Sequence, residues 1–273
     1  MAFWGDLCMQ DRTTMFCGFP YANTDMTAIV RLYIPEGFVI AADGLRVHSE
    51  NPALNLSDAQ KIVRIDGSGR RLACACTGVA QISPDDSEGI VFDFLTQANT
   101  VAKQLHYRRY KNLRQYTLAL AHEINGRLSD VKSSGKIAKY PSCTRLPMDT
   151  ADLIAALYID GFYDGVPSRN EVHFRHNDQE LLEPAVVDQP IENGNAIIQG
   201  PHTPGFTVLQ RSTIGTIEEA VESARAYIRS CSDPESIAID PEACAMIGGH
   251  VHIATITRQT DFHWAVPPVT EQY

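Results

Sequence analysis

The chain has 273 residues, 44% of them hydrophobic, with a formal net charge of -10 and a pI near 5.3. That apolar content can bury a sizeable core, in one large domain or two small ones, and the acidic balance excludes nucleic acid as a partner, because phosphate recognition needs clustered Lys and Arg. No apolar run approaches membrane-spanning length, Met1 to Asp6 lack a secretory signal's basic flank and apolar core, and 7 irregularly spaced cysteines are no disulfide framework; the expected setting is the reducing cytoplasm, without membrane.

Residues 1–26 carry Trp4, Cys8, Phe16, Cys17 and Pro20 with neither a helical nor a strand period. Two β-forming runs follow, Ala28 to Ile34 and Phe38 to Ala42, joined by Pro35-Glu36-Gly37; this predicts a hairpin. It sets the hydroxyl of Thr27 near the carboxylate of Asp43, since one opens the first strand and the other closes the second. Lys61 precedes a further short strand, Ile62 to Ile65. After a turn at Asp66-Gly67-Ser68-Gly69, Arg70 to Thr77 reads as another strand, ending at Gly78. Cys74 and Cys76 share one of its faces as small buried residues, with no further ligands at zinc-like spacing.

Ser83-Pro84-Asp85-Asp86 has the composition of a helix start. Ile90, Phe94, Leu95, Ala98, Val101, Ala102 and Leu105 then recur at helical spacing. A second helix is expected over Leu113 to Leu128, and a long surface loop over residues 129–150. Strands are expected at Ala151 to Gly161, Glu171 to His176 and Leu181 to Asp188, with Asp160-Gly161 and Asn177-Asp178 as turns. Ala196 to Gln199 is a short apolar run into Gly200. The clearest helix is Ile217 to Ser230, capped by Thr216 with Glu218 and Glu219 in its first turn. Val251 to Thr257 alternates as a strand, with His250 and His252 on one face and no third metal ligand in view.

Met26-Thr27-Ala28-Ile29-Val30, then Gly37 to Asp43, then Ser57-Asp58-Ala59-Gln60-Lys61-Ile62 resembles the opening of a proteasome β subunit, and is similar to the bacterial double-ring heat-shock peptidase. The sharp motif covers roughly the first third; the order of elements fits from Thr27 onward. The resemblance implies an α+β fold of four layers, an αββα sandwich of the N-terminal-nucleophile hydrolases, over residues 27–273, with residues 1–26 a leader. It implies Thr27 as nucleophile, Lys61 as the charge beside it, Asp43 as the partner orienting Lys61, and Gly78 as the oxyanion donor. It implies no cofactor or metal, a peptide or amide substrate, and self-association into a ring; an ATPase partner is not readable. By position, Arg46, Cys76 and Ala80 stand beside the site without naming a preference.

The chain departs from the family where Pro201 and His202 follow Gly200, and where Cys244 and Ile247 occupy the Asp and Ser positions before Gly248-Gly249. Residues 1–26 admit three readings: a self-cleaved propeptide, an ordered extension that leaves Thr27 an ordinary buried threonine, or translation that begins at Met26. Asp25-Met26 stands where propeptides usually end in Gly. A threonine-type peptidase, a catalytically inactive proteasome-like subunit with a structural or assembly role, and a small-molecule amidase of the same fold all remain. Read without the family, Asp43 and Lys61 are a structural ion pair at a strand end.

Overall fold

The computed structural model describes residues 27–47, 55–65, 70–83, 89–106, 109–145, 151–177, 179 and 182–269. Residues 1–26, expected to be a leader, and residues 66–69, expected to be a turn, lie outside them.

The predicted hairpin forms as β1 (Ile29–Ile34) and β2 (Gly37–Ala42), paired antiparallel from Ile29↔Ala42 to Ile34↔Gly37. Next come β3 (Ile62–Ile65), β4 (Arg70–Gly78) and a small pair, β5 (Gln81–Ile82) with β6 (Phe92–Asp93). Helix α1 (Phe94–Gln104) starts later than the Ser83-Pro84 signal predicts. Its N-cap is Asp93, whose carboxylate accepts from the Thr96 amide at 2.7 Å, and Ile90 is left exposed ahead of it. A side-chain acceptor for the first turn's orphan amides decides where the helix begins. Helix α2 (Leu113–Ser133) runs past Leu128 into the predicted surface loop, which also holds the short strand β7 (Thr144–Arg145).

Strands β8 (Ala151–Tyr163) and β9 (Val166–Asn177) are longer than expected, and Asp160-Gly161 is not a turn but lies inside β8. The turn is Asp164-Gly165, with φ of 50° and 77°, the left-handed pair that suits the twist of a two-residue hairpin. Gly161 is there for space: a Cβ at that point would sit 1.9 Å from the Arg71 carbonyl oxygen on the neighbouring strand. Then follow β10 (Leu182–Asp188), β11 (Ala196–Gln199), α3 (Pro204–Arg211), α4 (Ile217–Ser230), α5 (Pro234–Ile239), α6 (Pro241–Ala245), β12 (His252–Thr257) and β13 (Phe262–Val266). The Thr216 cap of α4 is a full capping box with Glu219.

The strands form two antiparallel sheets, ordered β11-β1-β2-β12-β13 and β10-β9-β8-β4-β3, with β7 on β8. Period-two alternation sorts their side chains. Ala28, just ahead of β1, and Val30, Leu32 and Ile34 on it join Ala220, Ala224, Tyr227 and Ile228 of α4 in one apolar cluster. Ile29 faces the other way, into a cluster with Phe38, Ile40, Ala73, Ala75, Ala156, Tyr158 and Ile256 drawn from both sheets. On β4, Leu72, Cys74 and Cys76 pack with Phe94 and Ala98 of α1 and Tyr116, Leu120 and Ile124 of α2.

Between the sheets lies a charged cluster that the sequence does not announce. Arg31 is fully buried and donates from Nε and Nη2 to Asp160 at 2.6 and 3.1 Å, and from Nη1 to Glu171 at 2.6 Å. Arg169 Nε reaches Asp160 at 2.5 Å. Burial works against the Asp160 carboxylate, but Arg31 and Arg169 outweigh it and hold its pKa below the usual value.

Candidate functional site

Thr27 immediately precedes Ala28, on the side of β1 that Ile29 and Arg31 turn toward the second sheet. Its side chain is 8% exposed. Asp43 follows the last residue of β2, and Lys61 the loop into β3, so one residue from the second sheet meets two from the first. Lys61 Nζ stands 3.2 Å from Thr27 Oγ1 and 3.0 Å from Asp43 Oδ1. Asp43 is held further by three amides: Ala28 donates to Oδ1 at 3.0 Å, and Leu45 and Gly248 donate to Oδ2 at 3.2 Å each.

Burial of these charges has a direction. It pushes the Asp43 carboxyl up and the Lys61 ammonium down in pKa, each toward neutrality. The ion pair and the Ala28 and Gly248 amides oppose this on Asp43, and the pair opposes it on Lys61. The positive charge of Arg46 depresses Lys61 further. A lysine so placed puts a proton donor and a positive charge against a threonine hydroxyl, in a setting with little water to screen them.

Gly78 ends β4 with φ of 80°, and a Cβ there would come within 2.7 Å of the Ile154 carbonyl oxygen. Its neighbours show which way its amide points. The Cys76 amide donates to the Lys61 carbonyl at 3.1 Å, and the Val79 amide donates across to Ile154 at 2.8 Å. Alternate amides of β4 therefore face β3 and β8 in turn. That of Gly78 shares the side of Cys76, one step past the end of β3.

His252, which in the sequence suggests at most a metal ligand, holds Lys61 in place. His252 is 1% exposed, and its Nε2 accepts the Lys61 backbone N–H at 2.9 Å. Burial, and then the Lys61 charge, drop its pKa to about 3, so the ring is neutral and its other nitrogen carries the proton. The signal was present: His252 shares the alternating face of Ala254 and Ile256, which line the layer between the sheets. His250 instead places Nε2 against the Pro267 carbonyl at 2.7 Å, near the surface. Among the described residues, no group of three or more His, Cys, Asp or Glu is placed to hold a metal.

Cys244 and Ile247 are both 4% exposed and belong to the apolar cluster under α4. The backbone beside them serves the site: the Gly248 amide reaches Asp43, and its carbonyl accepts from Gly44 and Leu45 at 3.1 and 2.9 Å. On the other flank, Tyr227 of α4 donates its hydroxyl to the Pro201 carbonyl at 3.2 Å, in the turn after Gly200.

No protein-family model matches the chain, and no curated protein matches it. A solved structure does: that of a Gly-1 mutant of Anbu from Hyphomicrobium sp. strain MC1, with a TM-score of 0.50 over 90% of this chain and 89% of its own, at 13% sequence identity. At that identity the likeness speaks to the fold, and it supports a proteasome-like fold in outline. No helix among the described residues is long and apolar enough to cross a membrane.

Proposed function

We propose that the chain is a proteasome-like hydrolase of peptide or other amide bonds, with Thr27 as an N-terminal nucleophile. The observation that carries this is Lys61 Nζ at 3.2 Å from Thr27 Oγ1 while paired to buried Asp43. When the residues ahead of it are removed, Thr27 presents a hydroxyl and an amine on one residue. The amine, with an ordinary pKa of about 7.7–8.0, takes the hydroxyl proton as Oγ1 attacks the carbonyl carbon. The amide of Gly78 and the Lys61 ammonium meet the charge that develops on oxygen. The amine then returns the proton to the leaving nitrogen, the acyl group stays on Oγ1 as an ester, and water releases it as the acid. The positive charge of Lys61 also favours the neutral, basic form of the amine.

The helices lying outside the two sheets are read as the outer layers of an αββα sandwich over residues 27–273, and residues 1–26 as its leader. Self-association into a ring and a cytoplasmic setting belong to the same reading.

The test is the N-terminus of the protein as its own cell makes it, read by intact mass, together with cleavage of fluorogenic peptides by that material and by Thr27→Ala. Mature chains that begin at Thr27, with turnover abolished in the variant, are the expected result. Chains that all keep residues ahead of Thr27, and hydrolyse nothing, overturn it. A non-catalytic subunit of the same fold would then stand, and one observation already favours it: Cys244 and Ile247, where the family carries Asp and Ser, are sealed into an apolar cluster.

A further inference from the structure

The candidate site is divided between the sheets: Thr27 and Asp43 stand at strand ends of the first, Lys61 and Gly78 at strand ends of the second. Between the sheets packs an apolar layer that includes Ala42, Ala73, Ala75, Ala156 and Ala254. Apolar burial has no preferred direction, and a layer with so many methyl groups has few large side chains to interlock. A small slip of one sheet along the other would cost little apolar contact, yet it would part Thr27 from Lys61.

Arg31 lies on the same face of β1 as Thr27, two side-chain repeats further on and about 13 Å along the strand. Its guanidinium reaches two strands of the opposite sheet, β8 through Asp160 and β9 through Glu171, each at 2.6 Å. It also lies over the Tyr158 ring, 4.8 Å from its centroid. Arg169 of β9 returns the contact, bonding Asp160 while it lies over Phe38 of β2 at 5.7 Å. A buried cluster of this kind adds little net stability over apolar groups of the same volume. It adds direction, because forked hydrogen bonds weaken steeply when the partners shift by about 1 Å. Strand ladders carry that direction to the site. Arg31 pairs with Ile40 and Ile197 on either side. Asp160 pairs with Ala73 of β4, and Ala73 with Arg64 of β3, three residues on from Lys61; Gly78 ends the same β4. The ties at the β3 edge, the exposed Arg64–Asp261 pair and Arg71 on the Thr257 and Arg258 carbonyls, do not involve β1.

We infer that Arg31 is a positioning residue: through Asp160 and Glu171 it locks the register between the two sheets, and so sets Thr27 of the first against Lys61 and Gly78 of the second. It touches no substrate and acts through the strands that carry the site. Its effect on turnover rests on the reading of Thr27 as nucleophile; the register itself does not.

The test replaces the whole cluster, combining Arg31→Met, Asp160→Val, Arg169→Met and Glu171→Val, so that no charge is stranded. Two readouts are taken. The first is turnover of fluorogenic peptides. The second needs no chemistry: the fluorine NMR line of 5-fluorotryptophan at Trp264, in a Trp4→Phe background that leaves it the one indole of the chain. Trp264 packs against the layer drawn from both sheets and lies edge-on to His252, with ring centroids 6.1 Å apart. The fourfold variant is expected to melt at or above the temperature of the unsubstituted chain. Its Trp264 line should nevertheless broaden or split, and kcat should fall by about 10–100-fold with KM within about 3-fold, as a displacement of about 1 Å implies. Arg31→Lys keeps the charge and loses the fork, and should change both readouts in the same direction; it decides the matter alone if the fourfold variant does not fold. A single unshifted Trp264 line in the folded variants overturns the inference, as does an unchanged kcat in a chain that turns peptides over. A split line in a chain that hydrolyses no peptide at all sustains the register lock and removes the nucleophile.

Discussion

Replacing Lys61 with Met tests the electrostatics of the site without requiring any substrate. The substitution keeps most of the side-chain volume and removes the cation that, among the described residues, pairs with Asp43. Asp43 is 0% exposed, so its charge would be left buried without a counter-charge. Breaking a buried pair from one side costs about 3–5 kcal/mol. The lower end applies here, because the amides of Ala28, Leu45 and Gly248 still donate to the carboxylate. For a chain of this size about 3 kcal/mol is a fall in Tm of about 6–12 °C near pH 7. The pH dependence is the sharper part. Burial already raises the Asp43 pKa with Lys61 opposing it, so removing Lys61 raises it further. A carboxyl with a folded pKa above its unfolded one contributes stability that is complete below the unfolded value and lost as pH rises through the folded value. The penalty of Lys61→Met should therefore be small near pH 4 and grow toward neutrality. Thermal unfolding of both proteins from pH 4 to 8 measures it. An equal Tm difference across that range would refute the argument, since the cost would then be packing and not charge.

Three further outcomes follow from the same geometry. Gly78→Ala must adopt φ of 80° with a side chain, at about 1–2 kcal/mol, and must displace the Ile154 carbonyl as well; urea unfolding should show a loss of at least about 2 kcal/mol. Arg31→Met leaves Asp160 to Arg169 and Glu171 to His173, and should cost about 3–5 kcal/mol by the same assay, while Arg31→Met combined with Asp160→Asn should cost less than the two single changes added together. His252 has a folded pKa near 3, below the unfolded 6.5, so the unfolded chain binds the extra proton and stability must fall as pH drops from 6.5 toward 3. His252→Gln can still accept from the Lys61 amide but cannot titrate, and should flatten that portion of the stability–pH curve; a slope unchanged by the substitution would count against a buried neutral ring.

The strands of the hairpin, with Thr27 and Asp43 at its ends, and the helix Ile217 to Ser230 with its Thr216 cap were legible because each is local. Alternation, capping chemistry and short-range spacing act within a few residues. The errors fall where a local signal met a stronger distant one. Ser83-Pro84 has the look of a cap, yet Asp93 caps the helix. Asp160-Gly161 has the look of a turn, yet Asp160 is the buried partner of Arg31, 129 residues away, and Gly161 makes room for Arg71. Helices α3, α5 and α6 escaped because each is eight residues or fewer, too short for a period to show.

The sequence by itself therefore determined the longer strands and helices, α1, α2, α4 and the β1–β2 hairpin among them, since those depend on side-chain period and backbone preference. What it left to the tertiary structure is the chemistry of the ends: that Lys61 meets Thr27 and Asp43 within hydrogen-bonding distance, that His252 props the Lys61 backbone, and that Arg31 reaches Asp160. These contacts join residues from 18 to 191 positions apart, across two sheets and away from water. Their energies come from burial and from distances of about 3 Å, quantities that exist only after the sheets have closed on one another.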